Sequence, residues 1–176
     1  MKMMHRILPF IIPLFLIALG LGIYFYLTSE PLSEKQFTHK DRQFSILVPR
    51  TFQYKDTSEL AVWGKGEEIL IVSLALAERK ETKILTCNDF KTQGAGTYYA
   101  AAETAFTADI KSLGKNVEIC MTPDPDTSGY MVLDALGLED SNTRYLLAVN
   151  AKEDFIKTSK GQGKVKKIFE SFKIRP

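Results

Sequence analysis

Residues 124–129, with the sequence Asp-Pro-Asp-Thr-Ser-Gly, carry the side chains best spaced for metal chemistry. Asp124, Asp126 and Ser128 alternate ahead of a glycine, which is the order of the first, third and fifth ligands and the turn glycine of an EF-hand loop. The twelfth position, which needs a bidentate glutamate, is Ala135. Asp, Pro, Ser and Gly are also the residues of an ordinary turn between strands. A turn is therefore the favoured interpretation, and Asp124, Asp126 and Ser128 stay as weak calcium candidates.

Cys87 and Cys120 are the two cysteines of the chain. In an oxidising compartment two such thiols are expected to pair. The bond would stabilise the fold by about 3–4 kcal/mol on the chain-entropy model. The alternative is a pair of unbonded, buried, small apolar side chains. A catalytic thiolate is disfavoured, because His39 is the only histidine after His5 and nothing nearby would activate the sulfur.

An enzymatic function is not predicted. The sequence contains no Gly-x-Ser-x-Gly, no phosphate-binding loop and no His-Glu-x-x-His. Adjacent carboxylates occur at residues 67–68 and 139–140, but both pairs lie in turn-like sequence, where solvated charge is the ordinary explanation. No catalytic residue and no cofactor are expected.

Three aromatic residues are candidates for binding a protein partner. Trp63, the only tryptophan, lies beside glycines at the tip of a predicted hairpin. It fits an exposed anchor for a partner and a side chain packed on the sheet equally well. Tyr98 and Tyr99, at the start of a predicted helix, complete the set.

Residues 7–27 form an apolar run without a charged side chain, preceded by Lys2 and Arg6. As an α-helix the run would span roughly 31 Å, which matches the hydrocarbon core of a bilayer. The two basic residues predict a cytoplasmic N-terminus. The expected organisation is a cytoplasmic tip at 1–6, a transmembrane helix at 7–27, a linker at 28–35 and an extracytoplasmic domain at 36–176. A cleaved signal peptide is the alternative, disfavoured because the run is long.

The part of the chain after residue 27 has no net charge, since it contains 21 acidic and 21 basic residues. Such a balance gives no electrostatic reason to expect binding to nucleic acid or to an anionic lipid surface. No nucleic-acid partner is predicted.

Hydrophobic periodicity predicts an α+β fold with a mostly antiparallel sheet covered by helices. The predicted strands form two hairpins and a three-stranded meander, at residues 37–39 with 44–48, 61–63 with 69–77, and 117–121, 129–137 and 144–150. A helix is predicted over 97–113, because Tyr98, Ala102, Phe106, Ile110 and Leu113 recur at steps of four and three. A closing helix is predicted over 163–172.

The opening FTHKDRQFSILVP, the segment YLLAVNAKEDF and the closing VKKIFESFKI are similar to the PsbP-like family, which includes the DcrB lipoproteins. The shared features are Phe44, Ser45 and Pro49 near the start, and Ser171 and Phe172 near the end. The resemblance covers residues 36–175 and implies an α/β/α sandwich. It also implies a protein that works by binding partners, and it supplies no catalytic residues. A departure from the bacterial relatives is the apolar N-terminal run in place of a lipobox cysteine.

The function expected from these features is a membrane-anchored, non-catalytic interaction domain of the bacterial envelope. It would be held in the inner membrane by one N-in helix, with the domain in the periplasm and an envelope protein as partner. One alternative is a domain that senses a small ligand or calcium. Another is an anchored immunity-type inhibitor that faces an incoming toxin.

Overall fold

The structure is a computed structural model of the 176-residue chain. It describes residues 17, 31–39, 42–53, 55–57, 60–62, 64, 66, 68–78, 86–93, 100–136, 138 and 143–175. The chain divides into two compact units, Met1–Pro31 and Leu32–Pro176. In the first unit only Ile17 and Pro31 are described. Apart from Ile17, the predicted helix at 7–27 therefore lies outside the described residues.

Within the part of the chain that the structure describes, no helix combines the length and the apolar character needed to cross a membrane. The described residues therefore do not support the predicted transmembrane helix or the single-pass placement in the bacterial inner membrane, and both predictions are withdrawn.

The unit Leu32–Pro176 is built mainly from antiparallel strands. The strands are β1 (Leu32–His39), β2 (Arg42–Pro49), β3 (Lys55–Thr57), β4 (Leu60–Val62), β5 (Ile69–Glu78), β6 (Glu103–Ile110), β7 (Lys115–Pro123), β8 (Tyr130–Ala135), β9 (Thr143–Lys152) and β10 (Lys173–Arg175). A three-stranded sheet has the order β1-β2-β10, and a seven-stranded sheet has the order β3-β4-β5-β9-β8-β7-β6. Residues 32–35, predicted as part of a linker, belong to β1.

The described helices are short apart from one near the C-terminus. They are α1 (Cys87–Gln93), α2 (Glu153–Ile156) and α3 (Ser159–Glu170), and a single 3₁₀ turn covers Lys111–Leu113. Helix α3 begins after Thr158, whose hydroxyl accepts a hydrogen bond from the Gly161 N–H at 2.9 Å. Gly161 is required there, because a side chain at this position would collide with the carbonyl of Phe155.

The core lies between the two sheets. Alternate residues of β9, Tyr145, Leu147 and Val149, are buried, as expected for a strand with one face in the core. The ring of Phe44 on β2 lies 5.6 Å from the Tyr145 ring and 5.9 Å from the Phe172 ring. Helix α3 adds Val165, Ile168 and Phe169 to the same cluster. We call the side of the seven-stranded sheet that meets the three-stranded sheet and α3 the inner face.

The predicted fold class is wrong. A transmembrane helix followed by one helix-covered sheet was expected, whereas the structure has two antiparallel sheets, and strand predominates over helix in the described residues. The physical reason lies in β1, β2 and β10. They pair with one another rather than with the larger sheet, so that a second sheet, together with α3, covers the inner face.

The predicted helix over 97–113 is also wrong, since Glu103–Ile110 forms strand β6 at the edge of the seven-stranded sheet. The hairpin of 37–39 with 44–48 is confirmed as β1 and β2. The meander is confirmed as β7, β8 and β9. The closing helix is confirmed as α3, although it begins and ends earlier than predicted.

Candidate functional site

The side of the seven-stranded sheet opposite the inner face carries the candidate site, and we call it the outer face. Direct cross-strand partners point to the same side of a sheet, so the strand registers assign its residues. The central ones are Ile71, Ser73 and Ala75 on β5, Leu146, Ala148 and Asn150 on β9, Val132 and Asp134 on β8, and Glu118, Cys120 and Thr122 on β7.

The outer face is closed at one side and open at the other. On β7, Cys120 and Thr122 are fully buried. On β9, by contrast, Leu146 is 49 % exposed, which is unusual for a leucine in the middle of a central strand. Its neighbours Ala75 and Ala148 are only half-buried. The open part of the outer face is therefore apolar and accessible.

Helix α1 covers the closed side of the outer face. Cys87, its first residue, is joined to Cys120 on β7, with the two Cα atoms 5.4 Å apart. The helix contacts β6 and β7. Around the disulfide lies a small cluster, separate from the main core, formed by Ala102, Leu136 and the half-buried Phe90. The predicted pairing of Cys87 with Cys120 thus corresponds to a bond that fastens a helix to the sheet.

Polar contacts at the start of α1 support the same attachment. The Thr86 hydroxyl accepts a hydrogen bond from the Asp89 N–H at 3.1 Å, and Asp89 Oδ2 accepts one from the Thr86 N–H at 3.0 Å, so the two residues cap the helix reciprocally. The Glu118 carboxylate accepts hydrogen bonds from the Cys87 N–H at 3.0 Å and from the Thr104 hydroxyl. Glu118 is thereby committed to holding α1 against the sheet.

Asp134 is the acidic residue at the middle of the outer face. On β8 it lies opposite Cys120 of β7 and Ala148 of β9, neither of which is charged. No described residue forms a hydrogen bond or an ion pair with its carboxylate. Burial raises the pKa of Asp134 to about 6, because the ionised form loses its water without gaining another partner.

The predicted calcium candidates lie in the turn between β7 and β8. Asp124 Oδ1 accepts hydrogen bonds from the N–H groups of Asp126 and Thr127, at 2.8 Å and 3.2 Å, and Oδ2 accepts one from the Asn150 side chain. Gly129 adopts a left-handed conformation with φ of 78°, as a tight turn requires. Both oxygens of Asp124 therefore serve the turn, and Asp126 and Ser128 are exposed to solvent.

Among the described residues, no group of three or more histidine, cysteine, aspartate or glutamate side chains could hold a metal ion. In the turn the geometry favours the predicted interpretation as a plain connection between strands.

The candidate partner-binding residues Trp63, Tyr98 and Tyr99 lie outside the described residues. Sequence reasoning missed Asp134 and Leu146. The available signal was in β8 itself, where one aspartate interrupts the otherwise apolar run Tyr-Met-Val-Leu-Asp-Ala. Which side of the sheet that aspartate faces follows from strand alternation, but its burial depends on neighbouring strands far along the chain.

A pocket with a volume of about 480 Å³ lies between β2, β6 and α3. Its lining residues are Leu47, Asp109, Lys111, Lys167, Glu170 and Ser171. Two acidic and two basic side chains balance one another, and the Leu47 N–H donates to the Ser171 hydroxyl at 2.7 Å. This pocket offers no unpaired charge comparable to Asp134, so the outer face remains the stronger candidate.

Comparison of the chain with known proteins finds no matching family model and no matching curated protein. The resemblance to the PsbP-like family therefore remains a prediction.

Proposed function

We propose that the unit Leu32–Pro176 is a non-catalytic binding domain that engages another protein through the open part of the outer face. The observation that carries the proposal is the exposure of Leu146, at 49 %, on a central strand of the seven-stranded sheet. Apolar groups that remain accessible in such a position are characteristic of surfaces that a partner covers.

The chemistry of the surrounding surface supports binding rather than catalysis. Around Leu146 the outer face presents Ala75, Ala148 and Val132, which can bury area but cannot transfer a proton or attack a substrate. Asp134 lies directly opposite Ala148 and the disulfide-bonded Cys120, so no second acid, base or nucleophile stands beside it in the strand register. Because Leu146 is already about half-buried, a partner that covered it would gain roughly half of the 1.5–3 kcal/mol that burying a fully exposed leucine side chain contributes.

The proposal is tested by site-specific photocrosslinking with the full chain in its native cells. A photoreactive amino acid at position 146 should capture a specific protein, whereas the same group at Lys160, exposed on α3, should not. The affinity of the purified captured protein is then measured. We expect Leu146→Asp to weaken binding at least tenfold and Lys160→Asp to leave it unchanged. Identical capture from both positions, or unchanged affinity of Leu146→Asp, would contradict the proposal.

A further inference from the structure

The carboxylate of Asp134 has no hydrogen-bond donor or opposite charge among the described residues, and a ligand could supply one. A carboxylate removed from water without a hydrogen-bond donor or an opposite charge costs free energy. The positions on either side of Asp134, Cys120 and Ala148, supply neither, and its neighbours along the strand on the same face are Val132 and Leu136. The outer face thus contains a negative charge that the described residues leave without compensation.

The other charged groups of the outer face do not supply that compensation. On β7, Glu118 has the same sign and is engaged by Cys87 and Thr104. On β9, Arg144 and Lys152 lie at opposite ends of the strand, each about 13 Å along it from Ala148 at roughly 3.3 Å per residue.

The described residues of the remaining elements around the outer face do not supply it either. On β5 the central residues of this face are uncharged, and on β6 they are threonines. Helix α1 carries Asp89, whose carboxylate caps the helix, and Lys91, which is exposed in its last turn. On β8, Tyr130 lies at the far end of the strand from Asp134.

The shape of the open part sets the kind of group that could reach the carboxylate. Small residues, Ser73, Ala75 and Ala148, lie side by side on β5 and β9, while Leu146 projects beside them. These residues form an accessible, largely apolar strip beside Asp134 on the next strand. A flexible chain of methylene groups could lie along this strip and place a charged end at the carboxylate.

From these observations we propose that the outer face binds a lysine side chain of a protein partner, with its methylene stem along Leu146 and its ammonium on the Asp134 carboxylate. The inference rests on the proposed function and names the chemistry of the partner. An anionic partner is disfavoured, since it would meet Asp134 and Glu118. The apolar surface spans three strands, or about 10 Å at roughly 4.8 Å per strand. A single alkyl chain would cover only part of this width, so the ammonium group is expected to belong to a protein and not to a free amine.

The test uses n-hexylammonium as the probe, titrated into the full chain with the aspartate carboxyl carbons isotopically labelled for NMR. We expect the Asp134 carboxyl resonance to shift on addition of hexylammonium, and the pKa of Asp134 to fall below about 6, because the ammonium stabilises the ionised form. Hexanol, which has the same stem without the charge, should bind at least tenfold more weakly. Hexylammonium should also bind at least tenfold more weakly to Asp134→Asn, whereas Asp126→Asn in the exposed turn should bind it as the wild type does.

Equal binding of hexanol and hexylammonium would overturn the inference, and so would an unchanged pKa of Asp134 at saturation. If spermidine, which carries several ammonium groups, bound more tightly than hexylammonium, the proposal of a single lysine side chain with an apolar stem would be overturned. The carboxyl titration needs no variant and therefore holds even if Asp134→Asn folds poorly. Crosslinking from position 146 with no response to hexylammonium would contradict this inference alone, whereas absence of specific crosslinking would contradict the proposed function.

Discussion

At the scale of single residues, Asp134 links burial to the pH dependence of stability. Its pKa is raised from 3.8 to about 6 by desolvation, so the folded protein binds this proton more tightly than the unfolded chain does. The contribution of Asp134 protonation to the free energy of unfolding is therefore fully present below pH 3.8 and is lost as the pH rises toward and through 6. The difference corresponds to about 3 kcal/mol, an upper estimate at 1.36 kcal/mol per pKa unit.

The Asp134→Asn substitution should remove this pH dependence, because the amide carries no charge at any pH in the range. Relative to the wild type, we expect the variant to gain up to about 3 kcal/mol in free energy of unfolding between pH 4 and pH 8. Urea denaturation at pH 4, 6 and 8 measures the effect. Asp126→Asn is the matched control, since it removes one exposed carboxylate from the turn. A constant difference between Asp134→Asn and wild type at all three pH values would contradict the prediction.

At the scale of elements, β6 shows why hydrophobic periodicity led to the wrong prediction of a helix over 97–113. Ala102, Phe106 and Ile110 recur every four residues, a step that fits a helix of 3.6 residues per turn and also an alternating strand. What decides between them is pairing with β7, in which Ala108 lies opposite Val117 and Ile110 opposite Lys115. By contrast, α3 was predictable, because Val165, Ile168 and Phe169 at spacings of three and one fit only a helix.

Helix α1 was not predictable in the same way. It has only seven residues, too few for a helix to be stable without tertiary contacts, and its position depends on a cysteine that lies far along the chain. The sequence indicated that Cys87 and Cys120 would pair. It could not indicate that the bond would hold a helix over one side of a sheet.

Removing the disulfide with Cys87→Ala and Cys120→Ala together should release α1. The two cysteines are separated by 33 positions in sequence, so the loss of the loop constraint should lower the free energy of unfolding by about 3–4 kcal/mol. Hydrogen exchange in the surviving folded protein should be faster in α1 and unchanged in β9. As a control, Thr86→Ala removes only the cap, and should cost about 1 kcal/mol. Unchanged protection of α1 in the double variant would show that the bond does not hold it.

At the scale of the whole unit, the two faces of the seven-stranded sheet explain what could and could not be predicted from sequence. The inner face follows from alternation within each strand, as in β9. The outer face carries the candidate site, and its openness depends on which elements cover it. Asp134 and Leu146 belong to strands that were predicted correctly, yet neither was recognised. Their exposure is set by α1 and by the order of strands across the sheet, which local patterns do not encode.

The three rings of Phe44, Tyr145 and Phe172 connect the two sheets and the end of α3, so they should make the unit unfold as one. Phe172 lies 5.9 Å from the Phe44 ring and 5.5 Å from the Tyr145 ring, and it is fully buried. We expect Phe172→Ala to lower the free energy of unfolding by about 3–5 kcal/mol, through lost burial and a residual cavity.

Urea denaturation followed by hydrogen exchange measures both the loss and the cooperativity of unfolding. Leu146→Ala is the matched control, since it truncates a large apolar side chain on the open outer face and should cost less than about 1 kcal/mol. Because the described residues of β2 meet the inner face through such core contacts, amides of β2 and β9 should lose protection at the same urea concentration in the wild type. Separate transitions for the two strands would mean that the sheets are independent, and that the aromatic cluster does not join them.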